Sequence, residues 1–478
     1  MCLLKILLVF SFCFVVAWFK NIEEHEKKSI YTGTHQYYGH IALRGNNLED
    51  SEPSKFERWF TQHLDHFNPN DERKFQQRYY VNDELFNTTS RNVAFLMIGG
   101  EGTAFGSKVT TGAWYDLYAK QFKPILFYLE HRYYGKSNPT ENLSNENLVY
   151  LTSQQALADL AFFIEAMNKQ HELSSDVKWI VFGGSYAGSL AAWMRLKYPH
   201  LVHGAVSSSA PLLAKLDFSE YLKVVRDALR ANSVECVNAI KMGIKQIDTL
   251  LLQSAGQQII ADKFKYFENI DRSNNKSIDF SLFYNRLKHE FSLVVQYNPE
   301  EFMSVENLCD IMTSENFGME IDRLAVVDYS FSKNRTNSLE AGNRQWLYQT
   351  CTEFGFLQTS SSKSQLFGDK LQLDFYEKQC LDDFGPKFNK TFLENAVKRT
   401  NVLYGGLNIE VNNVVFVHGS LDPWHALGIT QSKNGAPVIL IEGGSHCSDM
   451  HNPLPNDSPQ LKAARYQIHR IIGSWFNL

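Results

Sequence analysis

The segment from Val177 to Gly188 constrains the fold more than any other part of the chain. A run of β-branched and aromatic residues ends at Gly183 and Gly184, Ser185 follows, and an alanine-rich amphipathic segment comes next. This order predicts a strand, a sharp turn and a helix, with the serine at the apex of the turn. A serine in such a turn adopts a strained backbone conformation, and its neighbours must be small because strand and helix nearly touch. An ordinary Gly-Ser loop is the alternative, and the rest of the chain has to decide between the two.

Short apolar runs on both sides of this segment are typical of strands that are buried on both faces. They occupy residues 92–98, 124–129, 204–209, 413–417 and 437–441. Helical periods at 151–167 and 458–476 alternate with these runs, and short antiparallel strands are expected from Phe56 onward. Strands that alternate with helices imply a parallel sheet. We therefore predict an α/β fold.

The middle of the chain has a different character. From about residue 213 to about 401, charged helical patterns replace the buried-strand runs, which indicates a large inserted, mainly helical cap. A chain of 478 residues is also too long for one simple core. The predicted division is a signal peptide at 1–17, a pro-segment or flexible arm at 18–55, a first core part at 56–212, the cap at 213–401 and a second core part at 402–478.

The N-terminus predicts entry into the secretory pathway, and hence a secreted or lysosomal protein. Lys5 precedes an apolar run from Ile6 to Phe19 that contains a small-residue cleavage pattern ending at Ala17. The run is shorter than the roughly 20 residues that span a bilayer, although an uncleaved anchor remains the alternative. After cleavage we expect no membrane span. Glycosylation sequons fit this route and lie at Asn87, Asn142, Asn275, Asn334, Asn389 and Asn456.

Composition and cysteine spacing limit the binding partners and metal sites that we expect. The net charge of −5, without a basic cluster, argues against nucleic acid. Two of the seven cysteines, Cys2 and Cys13, would leave with the signal peptide, and no C-x-x-C pair exists. Disulfides are therefore expected rather than a metal site, and we predict no cofactor. A homodimer is left open.

Three side chains of catalytic type each follow a predicted strand, in the order Ser185, Asp422, His446. Because functional groups gather at the carboxyl ends of parallel strands, we expect them to meet. A histidine can accept the serine proton, and a carboxylate can orient that histidine. This chain order is the one found in α/β-hydrolases, so the predicted fold becomes an α/β-hydrolase core with an inserted cap. The alternatives are that Asp422 is only a turn residue and His446 an ordinary loop histidine.

Other residues near these strand ends compete for roles. His425 and His451 are alternative bases, but neither directly follows a strand, and Asp449 more plausibly supports its loop. The oxyanion hole needs two N–H donors. One should be Tyr186, and the other should come from the loop after the first core strand, at Gly100 or Glu101.

The motifs that surround these residues resemble the serine carboxypeptidase family of lysosomal Pro-X carboxypeptidase, dipeptidyl peptidase II and thymus-specific serine protease, and are most similar to the thymus-specific type. They are Gly-Gly-Ser-Tyr-Ala-Gly at 183–188, Glu-His-Arg-Tyr-Tyr-Gly at 130–135, Trp-Leu-Tyr-Gln-Thr-Cys-Thr-Glu-Phe-Gly at 346–355 and Gly-Ser-Leu-Asp-Pro-Trp at 419–424. The resemblance extends from about Phe56 to the C-terminus. It implies exopeptidase action beside proline, with the triad at Ser185, Asp422 and His446. Ala187 departs from the general G-x-S-x-G pattern.

The same resemblance implies disulfides Cys236–Cys309 and Cys351–Cys380, which would leave Cys447 unpaired. A proline ring has no N–H and suits a compact apolar slot. Candidate walls of that slot are Trp424, Trp346 and Tyr348, and ordinary core packing is the alternative for each.

The chain carries charged candidates for binding either end of a peptide. Arg132 or Arg344 could bind a terminal carboxylate, and Glu101 or Glu353 could bind a terminal ammonium group. Glu130, His131 and Arg132 could equally form a buried ion-pair scaffold, which is the interpretation we favour. The cleaved end is therefore left open.

The sequence as a whole predicts a secreted or lysosomal serine exopeptidase that cleaves short peptides next to proline through an acyl-enzyme. An esterase or lipid acyl hydrolase on the same fold is the first alternative, because a fold does not determine a substrate. A non-catalytic binding ectodomain with a hydrolase scaffold is the second.

Overall fold

A central sheet of eight strands organises the protein. The computed structural model describes residues 54–89, 91–264, 280–299, 302–333, 343–363, 365–432 and 435–477. The strands of the sheet, in chain order, are β1 Glu57–His63, β2 Lys74–Asn82, β3 Val93–Ile98, β4 Ile125–Leu129, β5 Lys178–Gly184, β6 Val202–Ser208, β9 Val414–Gly419 and β10 Val438–Ile441. A separate pair consists of β7 Lys215–Asp217 and β8 Gly355–Leu357. The predicted signal peptide and most of the predicted arm lie outside the described residues.

The strand order in the sheet is β1-β2-β4-β3-β5-β6-β9-β10. β1 pairs antiparallel with β2, and β2 pairs antiparallel with β4, as expected for the first strands of the core. From β4 to β10 every neighbouring pair is parallel. This is the mixed, mainly parallel sheet of an α/β-hydrolase core, and it confirms the predicted fold class.

Helices cover both faces of the sheet and fill the insertion. The α-helices are α1 Lys120–Phe122, α2 Asn145–Leu148, α3 Ser153–Gln170, α4 Tyr186–Lys197, α5 Ser219–Asn232, α6 Val234–Leu251, α7 Ser254–Lys263, α8 Phe280–Tyr297, α9 Val305–Thr313, α10 Glu320–Lys333, α11 Asn343–Gln349, α12 Leu373–Phe384, α13 Lys390–Tyr404 and α14 Pro459–Trp475. None of the helices in the described ranges is long and apolar enough to cross a bilayer.

Alternate residues of the central strands enter two apolar layers, as a period of two requires. Trp179 and Val181 of β5 pack into the layer that contains α3 and α4. Ile180 and Phe182 of the same strand pack into the opposite layer, with α14. Both faces of β5 are buried, which explains why its sequence is continuously apolar rather than alternating.

The elements between β6 and β9 are mainly helical and share the core of the sheet. Buried side chains of α5 and α6, such as Leu229 and Ile240, belong to the same apolar cluster as Leu190 of α4. The helical pattern that begins near residue 213 is interrupted at Ser233, whose side chain accepts a hydrogen bond from Cys236 N–H at 3.0 Å. Ser233 therefore caps α6, and such a cap stabilises a new helix start.

Candidate active site

Ser185 lies at the apex of a sharp turn between β5 and α4, as the sequence predicts. Its backbone has φ 61° and ψ −131°, a strained conformation for a residue with a side chain. Its N–H donates a hydrogen bond to the carbonyl of Ser208 at 2.9 Å, which ties the turn to the neighbouring strand β6. The geometry is that of a nucleophile elbow, which presents the serine hydroxyl beyond the end of the sheet.

The small residues around the elbow have unequal roles. A Cβ added to Gly183 would lie 2.0 Å from the carbonyl oxygen of Ala187, so only glycine fits there. A Cβ added to Gly188 would lie 2.6 Å from the carbonyl oxygen of Ser208. At position 187 it is the main-chain carbonyl that approaches Gly183, not the side chain. The methyl group of Ala187 is buried and does not take part in this close contact. The departure from the G-x-S-x-G pattern therefore leaves the turn intact.

His446 and Asp422 form a buried, hydrogen-bonded pair. The Nδ1 of His446 lies 2.9 Å from Oδ2 of Asp422, and the residues are 3% and 0% exposed. An ionised carboxylate can only accept, so Nδ1 carries the proton and Nε2 is left to accept one. Burial lowers the pKa of His446, but the adjacent Asp422 carboxylate outweighs it, and the pKa is raised well above its usual value. The pair has the form of a base with its orienting carboxylate.

Ser185 and His446 line one cavity of about 100 Å³. Asp422 lies behind the imidazole. The cavity wall is mainly apolar, with contributions from Met97, Ile98, Phe105, Trp114, Tyr128, Ala187 and Met450. Its polar lining includes Glu101, Lys108, Tyr297 and Cys447. The three residues predicted to act together are thus connected by one cavity and one hydrogen bond.

The oxyanion donors that the sequence predicts in the loop after β3 lie at this cavity. Gly100 and Glu101 line it directly, in the loop that follows β3. Gly99 allows that loop to lie close to β4, because a Cβ at this position would be only 2.6 Å from the carbonyl oxygen of Leu129. Tyr186 is the first residue of α4, so its N–H has no acceptor within the helix. The arrangement can offer N–H donors from two sides of a carbonyl oxygen at Ser185.

The side chain of Tyr186 enters a buried hydrogen-bond network away from the cavity. His131 Nδ1 donates to the carbonyl of Arg132 at 2.7 Å, which leaves His131 Nε2 to accept from the Tyr186 hydroxyl at 3.1 Å. Gln349 Nε2 donates to the same hydroxyl at 3.0 Å, and the Tyr134 hydroxyl donates to Gln349 Oε1 at 2.6 Å. Burial lowers the pKa of His131 to about 4, so it remains neutral. Gln349 lies within the quoted 346–355 motif, but sequence reasoning gave it no role.

Arg132 and Glu130 form scaffold contacts, which agrees with the interpretation favoured from the sequence. Arg132 is fully buried and pairs with Asp159 at 2.6 Å, and it also donates to the carbonyl of Leu64 at 2.9 Å. Glu130 pairs with Arg78 at 2.6 Å. Neither side chain lines the cavity at Ser185. The expectation that Arg132 binds a substrate carboxylate is therefore corrected, because its donors are committed to Asp159 and to main-chain carbonyls.

The predicted aromatic walls lie elsewhere than expected. Trp424 packs on Phe218, with ring centroids 5.6 Å apart, and its Nε1 donates to Gln296 Oε1 at 3.0 Å. Trp346 packs on the ring of Tyr186 at 5.7 Å. Tyr348 packs edge-on against Phe384 at 5.3 Å. None of the three tryptophan and tyrosine rings predicted as walls lines the described cavity, and their contacts are those of core packing.

The remaining charged candidates for substrate binding, Glu353, Arg344 and Glu101, differ in what they contact. Glu353 is buried and accepts hydrogen bonds from the N–H of Ser153 at 3.0 Å and from its hydroxyl at 2.7 Å, so it caps α3 rather than facing a substrate. Burial raises its pKa. Arg344 donates to the carbonyl of Leu143 at 3.0 Å and stacks on Phe384. Of the side chains proposed for substrate ends, only Glu101 lines the cavity.

The insertion supplies contacts to His446 that sequence reasoning missed. The carbonyl of Gln296, at the end of α8, accepts a hydrogen bond from His446 N–H at 2.7 Å. The ring of Tyr297 packs edge-on against the imidazole at 5.6 Å. Asp449 has a different hydrogen-bond partner, because its Oδ2 accepts from the Ser208 hydroxyl at 2.5 Å. No local sequence signal marks the end of α8, because its role depends on long-range packing.

The implied disulfides Cys236–Cys309 and Cys351–Cys380 are both present. Cys447 is the free cysteine among the described residues; it is buried and lines the cavity directly after His446. The sequons at Asn275 and Asn334 lie outside the described residues. The other four are exposed, at Asn87, Asn142, Asn389 and Asn456.

Comparison with known proteins gives a consistent result. The profile of the family described as serine carboxypeptidase S28 matches residues 62–468. Thymus-specific serine protease of Mus musculus is 36% identical over 450 residues, which cover 87% of this chain and 87% of that protein. The putative serine protease K12H4.7 of Caenorhabditis elegans is 34% identical over 459 residues, covering 87% of this chain and 88% of that protein. Lysosomal Pro-X carboxypeptidase of Mus musculus is 28% identical over 430 residues, covering 84% and 86%. With most of its length matched, the chain belongs to the serine carboxypeptidase S28 family of serine peptidases.

Proposed function

We propose that this chain is a serine exopeptidase that cleaves short peptides next to proline, with Ser185, His446 and Asp422 as its catalytic triad. One observation carries the proposal. The strained elbow presents Ser185 to the same cavity as His446, whose Nδ1 is held by the buried carboxylate of Asp422 at 2.9 Å.

In the first half of the reaction, Ser185 Oγ attacks the carbonyl carbon of the substrate and transfers its proton to Nε2 of His446. The carbonyl oxygen becomes an oxyanion, which the N–H groups of Tyr186 and of Gly100 or Glu101 stabilise. The C–N bond then breaks, and His446 returns the proton to the departing amine. The product of this step is an ester between the peptide acyl group and Ser185.

In the second half, water replaces the amine. His446 removes a proton from the water, the resulting hydroxide attacks the ester carbon, and the proton finally returns to Ser185 Oγ. Asp422 stabilises the imidazolium in both halves through its hydrogen bond to Nδ1. Each half is a separate acyl transfer with a lower barrier than direct hydrolysis.

Preference for proline is proposed from the wall of the cavity. A proline ring has no N–H and needs apolar contact rather than a hydrogen-bonding groove. Apolar side chains such as Met97, Phe105 and Trp114 supply that contact next to Ser185. One of the matched relatives is named lysosomal Pro-X carboxypeptidase, which supports the same substrate class.

Export is the second part of the proposal. The disulfides Cys236–Cys309 and Cys351–Cys380 are typical of an oxidising compartment, and exposed sequons fit glycosylation there. Expression of the full chain in eukaryotic cells should place the protein in vesicles or in the medium, with a mass that falls on treatment with an N-glycanase. An unmodified protein in the cytosol would contradict this part alone.

The activity is tested by incubation with a library of short peptides, read by mass spectrometry. We expect cleavage at one end, enriched for bonds that involve proline, and its loss in Ser185→Ala. Ser474→Ala, at an exposed serine of α14, is the matched control and should retain activity. Undiminished peptide cleavage by Ser185→Ala would overturn the mechanism. Turnover of p-nitrophenyl esters without cleavage of any peptide would favour the esterase alternative instead.

A further inference from the structure

Lys108 is a charged side chain in the cavity at Ser185 and takes no part in the proposed mechanism. It lies in the short 3-10 turn Gly106–Thr110 and lines the same cavity as Ser185 and His446. Among the described residues, no carboxylate pairs with its ammonium group, and the one nearby group that favours its charge is Cys447. It is therefore a cation within the cavity that has no counter-ion of its own.

The main chain around Lys108 is held firmly. Its carbonyl accepts a hydrogen bond from Trp114 Nε1 at 2.9 Å, and its N–H donates to the carbonyl of Phe105 at 3.1 Å. The next residue, Val109, is fully buried, and its carbonyl accepts from Asn82 Nδ2 at 2.9 Å. A turn fixed in this way places the root of the lysine side chain at a constant position beside the cavity.

A poorly solvated, unpaired ammonium group is costly, and such groups in proteins are normally paired. Burial lowers the pKa of Lys108 to about 8. At neutral and acidic pH the group thus keeps its proton, and an anion bound beside it would recover the lost solvation. Perturbed, unpaired charges in a cavity are typical of functional sites rather than of scaffold.

We propose that Lys108 binds the terminal carboxylate of the substrate and so makes this enzyme act at the carboxyl end of peptides. The inference rests on the proposed function and assigns its specificity to one residue. Lys108 and Ser185 line the same cavity, so a carboxylate bound by Lys108 would lie in the cavity of the reacting serine. The arginines that could have served instead, Arg132 and Arg344, are committed to contacts outside the cavity.

Glu101 defines the competing assignment. Its carboxylate lines the same cavity and could bind the ammonium group of an amino end. The two assignments predict opposite substrates. A carboxyl-end enzyme requires a free terminal carboxylate and tolerates a blocked amino end, whereas an amino-end enzyme has the reverse requirements.

The test compares matched peptides on the full, processed chain. N-acetyl-Ala-Pro-Phe with a free carboxylate is compared with its C-terminal amide, and Ala-Pro-p-nitroanilide is compared with its N-acetyl form. We expect the wild type to prefer the free acid over the amide by about 10- to 100-fold in kcat/KM, the range of one charge-assisted hydrogen bond. In Lys108→Met this acid-to-amide ratio should fall to near one, and Lys108→Arg should restore part of it.

Controls separate this role from a loss of folding. Rates are expressed per active site titrated with a fluorophosphonate, so that misfolded molecules do not count. Lys169→Met, at an exposed lysine of α3, should leave the acid-to-amide ratio at the wild-type value. A wild type that cleaves acid and amide equally, or a Lys108→Met variant that keeps the wild-type ratio, would overturn the proposal.

Two further outcomes are distinguishable. If the wild type requires a free amino end and Glu101→Gln abolishes that requirement, the enzyme acts at the other end and Lys108 is not its determinant. If no peptide of any form is cleaved while the fluorophosphonate still labels the protein, the proposed peptidase function itself fails, and this role of Lys108 fails with it.

Discussion

Asp422 uses its two carboxylate oxygens for two different contacts. Its Oδ1 accepts a hydrogen bond from the N–H of Trp424 at 3.0 Å, so it caps the 3-10 turn that begins at Pro423. Its Oδ2 accepts from His446 at 2.9 Å. The turn interpretation and the triad interpretation of the sequence are thus compatible, because each uses a different oxygen.

Replacing Asp422 with Asn should change both the rate and its pH dependence. His446 must be neutral to accept the Ser185 proton, and the Asp422 carboxylate raises the pKa of His446. Loss of the carboxylate lowers that pKa, so the acid limb of the kcat/KM profile should move to lower pH. The wrong tautomer should also lower kcat, by a factor on the order of 10⁴. A pH–rate profile checks both effects, and an acid limb that stays in place would show that another group controls it.

Cys447 should make the enzyme sensitive to small thiol reagents. Its thiol lines the cavity beside His446, and among the described residues the other cysteines are in disulfides. Methyl methanethiosulfonate adds bulk in this cavity and should remove most of the peptidase activity. A substrate-like inhibitor should slow the loss, and Cys447→Ala should be resistant. Equal inactivation of Cys447→Ala would place the sensitive group elsewhere.

Position after a strand was sufficient to predict that Ser185, Asp422 and His446 lie close together, because the ends of parallel strands meet at one edge of the sheet, and their catalytic roles stay a proposal. Partners of charged residues were not predictable in this way. Arg132 and Glu353 have the charges that a substrate end would need, but the structure directs them to Asp159 and to the start of α3. Lys108 was missed because only the folded chain shows that it lines the same cavity as Ser185, with no carboxylate paired to it among the described residues.

At the scale of secondary-structure elements, α11 and the π-helical turn that follows it, Thr350–Phe354, hold the elbow from the cap side. Trp346 and Phe354 pack on the ring of Tyr186, at 5.7 and 5.3 Å between centroids, and Gln349 bonds its hydroxyl. Tyr186, which follows Ser185, is therefore clamped between the core and the cap.

Gln349→Leu should lower kcat more than it changes KM. The substitution leaves the buried hydroxyls of Tyr134 and Tyr186 without one partner each, at a cost of about 1–3 kcal/mol, and loosens Tyr186, whose N–H is a proposed oxyanion donor. Gln345→Leu is the matched control, because Gln345 is also buried in α11 but bonds the carbonyl of Tyr133 instead. Steady-state kinetics and thermal unfolding of both variants provide the check. A loss of stability alone in Gln349→Leu, with kcat intact, would argue against the clamp.

Most strands and the long core helices were predictable from their periods, with ends that moved by a few residues. Two features of the cap were not. The short pair β7–β8 has strands of three residues, too short to show a period, and it forms through long-range pairing of Lys215 with Gly355. The break between α5 and α6 depends on the cap at Ser233, which the helical patterns on either side conceal.

At the scale of the whole molecule, the cap and the sheet form one continuous structure. One apolar cluster joins β5, α4 and the helices of the insertion, and α8 contacts the imidazole of His446 through Gln296 and Tyr297. That residues 213–401 form a separate cap domain stays a prediction. The insertion therefore contributes contacts to His446 itself.

The two disulfides should therefore differ in their effects. Cys351–Cys380 adjoins the segment that clamps Tyr186, whereas Cys236–Cys309 joins α6 to α9 within the insertion. Replacing either pair with Ala should lower the free energy of unfolding by about 2–4 kcal/mol. Loss of Cys351–Cys380 should also lower kcat. Denaturant unfolding and kinetics on both variants test this, and equal effects on kcat would contradict the assigned difference.

Activation of Ser185 by His446 is tested most directly by reaction with a fluorophosphonate, followed by peptide mapping. We expect one covalent adduct, on Ser185, that forms on the native protein but not on the urea-unfolded one and is nearly absent in His446→Gln. An adduct on another residue, or labelling of Ser185 at the same rate in His446→Gln, would contradict it.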